Sequence, residues 1–342
     1  MLLKPVHLQT YYMKNSFTMV IAFFLLLLRS APVDASLADG KSIHVIFHKK
    51  KHKNLKSGNS NITDTTISKL ISPNATLKLI SNQFVFTEGP AVDKAGNVYF
   101  TDQPDNKIWK YDTKGKLSVF LDKSGRSNGM YFDKKGKLIS CADENNQLWS
   151  IDIPSGTHTI LAMNYQGQRL NGPNDVWINP NGNIYITDPY YQRDWWDRKT
   201  PDIKGEKVYC LPKGKKELVM VADSFKRPNG IIGTPDGKYL YVADINDNKT
   251  YRFSIQKDGA LKDRILFISQ GSDGMTIDNK GDIYISGNGI TIYNPKGEKI
   301  EHIDVPAKWT ANVCFGGKDR HELFITASES VYTLHMKVKG VE

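Results

Sequence analysis

The chain has 342 residues, 39% of them hydrophobic, and a formal net charge of +10 from 46 Lys and Arg against 36 Asp and Glu. Nine of those basic residues and two of the acidic ones fall within residues 1–56, so the rest holds 37 against 34 and is nearly neutral. The net charge therefore gives no ground for nucleic-acid binding, and three cysteines without a C-x-x-C spacing allow at most one disulfide.

Residues 1–35 read as a secretory signal. The apolar run over 20–28, VIAFFLLLL, is shorter than the about 20 residues that a spanning helix needs. Val33-Asp34-Ala35 offers a cleavage site, which predicts a mature chain starting at Ser36, secreted or periplasmic and without a membrane span. An uncleaved anchor is the competing reading. Residues 36–75 read as a basic and polar linker, with KSIHVIFHKKKHKNLK over 41–56. His44, His48 and His52 recur at every fourth position there, but the surrounding lysines repel a cation, and no metal site is expected.

From residue 76 to 342 the pattern is one of repeats. Six units begin at Glu88-Gly89, Asn128-Gly129, Asn174-Asp175, Asn229-Gly230, Asp273-Gly274 and Asn312-Val313. Each holds a short apolar run and a β-rich run such as VYFTD, IYITD or YLYVAD; in the first five a glycine-containing turn joins them. Six such units predict an all-β fold, a six-bladed β-propeller with one four-stranded blade per unit. KLISNQF over 78–84 and VYTLHMK over 331–337 are expected to complete one blade together, which removes the open edges of the ring.

The register of the repeats carries the chemistry. Glu88, Asn128, Asn174, Asn229 and Asp273 each stand eight residues before a turn glycine, at Gly96, Gly136, Gly182, Gly237 and Gly281. With Asn312 they are expected to ring one end of the central channel. The ring offers carboxylate and amide oxygens only, a donor set that suits one divalent cation, Ca²⁺ first, with Mg²⁺, Mn²⁺ or Zn²⁺ as alternatives. Asp102, Asp143, Asp188 and Asp244 return to the same face, where a turn role through backbone hydrogen bonds is expected. The longest loop there, DPYYQRDWWDRKTPDIKG over 188–205, carries Tyr190, Tyr191, Trp195 and Trp196, and such loops often bind ligands. The three cysteines fall in predicted strands and read as core.

FTEGP with Glu88, RLNGPNDVW with Asn174, RPNGI with Asn229 and SDGM with Asp273 resemble the lactonase family of gluconolactonase and regucalcin. More distantly the ring resembles that of diisopropyl fluorophosphatase. The resemblance covers most of residues 82–334 and implies a catalytic divalent cation at the pocket floor, facing Glu88, Asn174, Asn229 and Asp273. Asn128 and Asn312 share the repeat position without a matching ligand motif. In regucalcin-like members an arginine beside the PND motif helps bind sugar; here Arg169 lies five residues before Asn174. Substrate contacts are accordingly expected from Asn128, Asn174, Arg169, Tyr190 and Trp195.

Four protein oxygens leave open positions on such a cation for a water and a substrate carbonyl. The leading reading is a secreted metal-dependent lactonase acting on a small-molecule, gluconolactone-like ester, with Asp273 as the base and Glu88 chiefly a ligand. A phosphotriesterase or fluorophosphatase is the second enzyme reading, because the same cation polarises a phosphoryl oxygen. A non-catalytic calcium-binding propeller is the reading from another class. Ser-His-Asp catalysis is disfavoured by the lack of a G-x-S-x-G motif.

Overall fold

The computed structural model describes residues 68–342; the expected signal and the basic segment lie outside them. Six four-stranded antiparallel sheets form the blades of a β-propeller, and no α-helix occurs among the described residues. The innermost strands are Thr87–Val92, Ser127–Phe132, Val176–Ile178, Pro228–Gly233, Met275–Ile277 and Asn312–Gly316. Each pairs with the strand that follows it, so that Asp102 lies opposite Thr87 and Val98 opposite Val92.

The hairpin turns explain the recurring Asp-x-x-Gly. Asp93 accepts the N–H groups of Ala95 and Asn97 on Oδ1, and its carbonyl takes Gly96 N, which sits at φ 95°. Asp133, Asn179 and Asp278 build the same closure with Gly136, Gly182 and Gly281. An Asx turn and a left-handed glycine thus fix the register of these four inner hairpins, while Thr234 closes the fourth blade's turn with Gly237.

Lys78–Ser81 joins Ser330–His335 as the outermost strand of the sixth blade, with Lys78 opposite Thr333, so the two ends of the described chain close the ring as expected. The packing begins before residue 76. Leu70 is buried in the cluster that contains Phe315, Leu334 and Val338, and its carbonyl accepts Lys337 N. Cys141, Cys210 and Cys314 are free and buried. A two-stranded hairpin, Asn164–Tyr165 with Gln168–Arg169, stands outside the six blades.

In four of the blades the inner strands converge so closely that no side chain fits after the ring residue. A Cβ at Gly89 would lie 2.0 Å from the Asn128 carbonyl, and one at Gly274 would meet Asn312 at 1.8 Å. The glycine that follows each of these ring residues is the condition for blades to approach. At the far end of the channel a cavity of ≈ 360 Å³ is lined by Tyr131, Trp177, Ile277, Arg320 and Glu342. Thr276 Oγ1 donates to Glu342 Oε1 at 2.8 Å and Arg320 Nε to its carbonyl at 3.0 Å, so that end is capped away from the ring.

Candidate functional site

All six repeat-related residues are buried at one end of the channel: Glu88, Asn128, Asn174, Asn229, Asp273 and Asn312 are each 8% exposed or less. They are held there through the threonines of the second strands. Thr101 Oγ1 donates to the Asn128 carbonyl and Thr187 Oγ1 to the Asn229 carbonyl, each tying one blade to the ring residue of the next.

The two carboxylates are oriented by neighbours on one side. Glu88 Oε2 accepts Gly89 N at 2.9 Å and Asn312 Nδ2 at 3.3 Å, while Asn312 Oδ1 is occupied by Val313 N. Asp273 Oδ2 accepts Trp309 Nε1 at 2.6 Å. Asn229 Nδ2 donates to the hydroxyl of Tyr191 at 3.0 Å. The side chains of Asn128 and Asn174 have no hydrogen-bond partner among the described residues. Asn312 is thus an orienting residue for Glu88, as its lack of a ligand motif suggests, whereas Asn128 and Asn174 stand on the same footing.

Burial, the nearby charge of Asp273 and that of Asp175 push Glu88 well above the usual carboxylate range, partly offset by Gly89 N–H. Asp273 is pushed up to about 6, mainly by burial, against the pull of Trp309, Asn229 and the Arg193 charge. Asp175 stands where four of the other five units carry glycine and the sixth unit carries Val313. Its carboxylate accepts Val176 N and Ile231 N, and burial raises it to about 7. Three buried carboxylates therefore converge, and among the described residues no lysine or arginine is hydrogen-bonded to Glu88 or Asp273. That surplus of negative charge, edged by neutral amide oxygens, fits a hard dication. Glu88, Asn174, Asn229 and Asp273 are the residues that would hold it. No group of three or more His, Cys, Asp or Glu with metal-binding geometry occurs among the described residues, as expected when half the donors are amides.

The wall of the site comes from blade-top loops. Asp102, Asp188 and Asp244 take the expected turn role, accepting the backbone N–H groups of Val85 and Phe86, of Asn171 and Gly172, and of Lys226 and Arg227. Asp143 departs from it. Asn106 Oδ1 caps the corresponding Arg126 N–H at 2.7 Å, and this frees the Asp143 carboxylate. Asp143 Oδ2 instead accepts Gln103 Nε2 at 3.1 Å and Arg193 Nε at 2.7 Å.

The long loop divides its residues by function. Trp196 is buried against the second blade, donating to the Asp143 carbonyl at 2.8 Å. Tyr190 bonds Gln192 and lies beside Trp196 and Arg198, within the loop itself. Trp195 is flanked by Arg126 at 4.4 Å and Arg193 at 5.5 Å. Of these loop aromatics, Tyr191 is hydrogen-bonded to the ring, through Asn229. Arg169 is engaged elsewhere: the small hairpin turns its guanidinium to Asp197 at 3.1 Å and Asp202 at 3.6 Å, with no contact to a ring residue. Arg193 and Arg227 instead flank Tyr191, at 5.4 and 4.6 Å from its ring. Sequence reasoning did not select Arg193, Asp143, Gln103, Trp309 or Asp175. Only Asp175 left a signal, as the one acidic residue at a position that is glycine in four units and valine in another.

Comparisons with known proteins place the chain in a family. The family model described as SMP-30/gluconolactonase/LRE-like region matches residues 86–329. The chain belongs to that family. A gluconolactonase of Zymomonas mobilis is 31% identical over 297 residues, 77% of this chain and 82% of that protein. The solved structure of a gluconolactonase from Xanthomonas campestris matches with a TM-score of 0.72 and 27% identity, covering 79% of this chain and 96% of that one. The diisopropyl-fluorophosphatase of Loligo vulgaris is 24% identical over 71% of this chain and 86% of its own length.

Proposed function

We propose that this chain is a secreted, metal-dependent lactonase that hydrolyses a gluconolactone-like sugar lactone to its hydroxy acid. The observation that carries the reading is the convergence of Glu88 and Asp273, both with raised proton affinity, beside amide oxygens in one buried ring. The gluconolactonase relatives supply the substrate class, and the donor set favours Ca²⁺, with Mg²⁺, Mn²⁺ or Zn²⁺ as alternatives. When bound, the cation supplies Lewis-acid polarisation of the lactone carbonyl.

This chain's own groups do the rest. Trp309 fixes Asp273 through Oδ2, leaving Oδ1 as the oxygen that takes the proton of the attacking water. Asn312 and Gly89 hold Glu88 in place, and Asn174 and Asn229 contribute neutral oxygens that orient without adding charge. Tyr191 anchors the long loop to the ring by accepting a hydrogen bond from Asn229 Nδ2. Base titration at constant pH with glucono-1,5-lactone, before and after chelation and after Ca²⁺ is restored, tests the reading. Hydrolysis that persists after exhaustive chelation overturns the metal dependence.

A phosphotriesterase activity is the second reading, supported by the resemblance to the Loligo fluorophosphatase. The same assay with diisopropyl fluorophosphate decides between them. Secretion rests on residues 1–35, and a protein recovered from the medium is expected to begin at Ser36.

A further inference from the structure

Arg193 occupies a position that a scaffold role does not explain. It could serve as counter-ion to the ring, yet Asp273 Oδ2 is bonded to Trp309 and the Arg193 Nε–H points away, to Asp143. Asp143 has a side chain only 2% exposed and receives a second hydrogen bond from Gln103, so the pair is anchored from behind by three blades. Two aromatic rings, Tyr191 at 5.4 Å and Trp195 at 5.5 Å, confine the guanidinium from the sides. The side chain nevertheless keeps 21% of its surface accessible, and its two terminal nitrogens make no hydrogen bond among the described residues. It flanks Tyr191, whose hydroxyl accepts a hydrogen bond from Nδ2 of the ring residue Asn229 at 3.0 Å.

The surroundings strengthen its sign. Arg126 lies on Trp195 at 4.4 Å and Arg227 on Tyr191 at 4.6 Å, while their nearest carboxylates, Glu144 and Glu206, stand at 3.8 and 3.9 Å, beyond hydrogen-bond distance. Three arginines interleaved with two aromatics thus line the approach to an acidic ring. A planar fork with its outer edge unpaired matches the paired oxygens of a carboxylate, sulfonate or phosphate better than single hydroxyls.

We propose that Arg193 is the specificity-determining residue of this pocket and that it selects lactones bearing a negatively charged oxyanion substituent. The inference rests on the lactonase reading for its reaction but not for its binding contact. Asp143 and Gln103 are positioning residues, acting through Arg193.

Glucaro-1,4-lactone and glucono-1,4-lactone share the same ring and reacting carbonyl and differ by a terminal carboxylate against a hydroxymethyl group. The wild type is expected to favour the glucaro compound by about ten-fold or more in kcat/KM, the size of one charge-assisted hydrogen bond. Arg193→Gln is expected to bring the ratio close to one, and Arg193→Lys to restore part of it. A wild type without this preference, or an Arg193→Gln variant that slows both substrates by the same factor, overturns the proposal. Calorimetric binding of glucarate and gluconate to the same proteins separates the two ideas. If neither lactone is hydrolysed, the lactonase reading fails, but an Arg193-dependent preference for glucarate still supports the contact. Equal binding of the two acids overturns it.

Discussion

Trp309 donates its indole N–H to Asp273 Oδ2 at 2.6 Å, and the same residue is clamped at its backbone by Ser328, whose hydroxyl accepts Trp309 N and donates to Trp309 O at 3.1 Å each. The bond thus reaches from a fixed segment between the fifth and sixth blades to the carboxylate assigned as base. It holds one oxygen of Asp273 and leaves the other for chemistry. Trp309→Phe keeps an aromatic side chain but cannot donate. It is expected to lower kcat by about ten-fold, the worth of one hydrogen bond to a charged group. Thermal stability and fold are expected to change little, because Trp309 is 37% exposed. Steady-state kinetics alongside a melting curve checks both, and an unchanged kcat removes the positioning role.

The convergence of inner strands makes a stability prediction. A Cβ at Gly89 would overlap the Asn128 carbonyl at 2.0 Å, and the residue sits at φ 34°. Gly136 also has positive φ, at 81°, yet nothing lies within 4 Å of its Cβ position. Gly136→Ala is therefore expected to cost about 1 kcal/mol for the left-handed backbone alone. Gly89→Ala adds overpacking of an unyielding backbone, on the order of 3 kcal/mol in total or more. Denaturant melts of the two variants decide it, and equal losses contradict the packing argument.

The ring was legible because its spacing is fixed by hydrogen bonding that sequence displays. An Asx turn at Asp93 or Asn179 must be followed by a left-handed glycine, so counting back eight residues from Gly96 or Gly182 finds Glu88 or Asn174. The wall was not legible for the opposite reason. Arg193 and Asp143 are 50 residues apart on different blades, and their pairing depends on a loop path that no periodicity constrains. Arg169 misleads because the hairpin that carries it is too short to register as a pattern. Asp143 looks like Asp188 in sequence and differs only because Asn106 takes over its turn contact.

Buried carboxylates set a direction for how stability should vary with pH. Burial pushes Asp188 up to about 7, although Asn171 N and Gly172 N donate to it, and Asp143 up to about 6 despite Arg193. A carboxyl whose folded value exceeds its unfolded one binds more protons in the folded state. Its contribution is then greatest at low pH and declines as pH rises toward the folded value. Between pH 5 and 7.5 the melting temperature is expected to fall by several degrees as pH increases. Asp188→Asn is expected to flatten that slope. A melting temperature that climbs through this window contradicts the assignment.

The asymmetry of the ring supplies the last test. Glu88 and Asp273 carry the charge that would neutralise a dication, whereas Asn174 and Asn229 contribute only neutral oxygens. Glu88 is held by Gly89 and Asn312 and has no part in the proposed proton transfer. Glu88→Gln is therefore expected to raise the cation concentration needed for half-maximal turnover by roughly ten-fold or more while leaving much of kcat at saturation. Asp273→Asn keeps one oxygen and the shape of the side chain but removes the base. It is expected to lose about 100-fold or more in kcat even at saturating cation, the scale of a general base. Asn312→Ala acts through Glu88 and is expected to shift cation affinity less than Glu88→Gln does. Asn174→Ala and Asn128→Ala, equally unpaired within the chain, separate ligand from bystander: the first is expected to weaken cation binding and the second to leave it near wild type. Cation titrations of turnover, with direct calorimetric binding of Ca²⁺ to each variant, read all five. If Asn128→Ala loses cation as fully as Glu88→Gln, or Asp273→Asn turns over normally once saturated, the roles assigned around the ring are wrong.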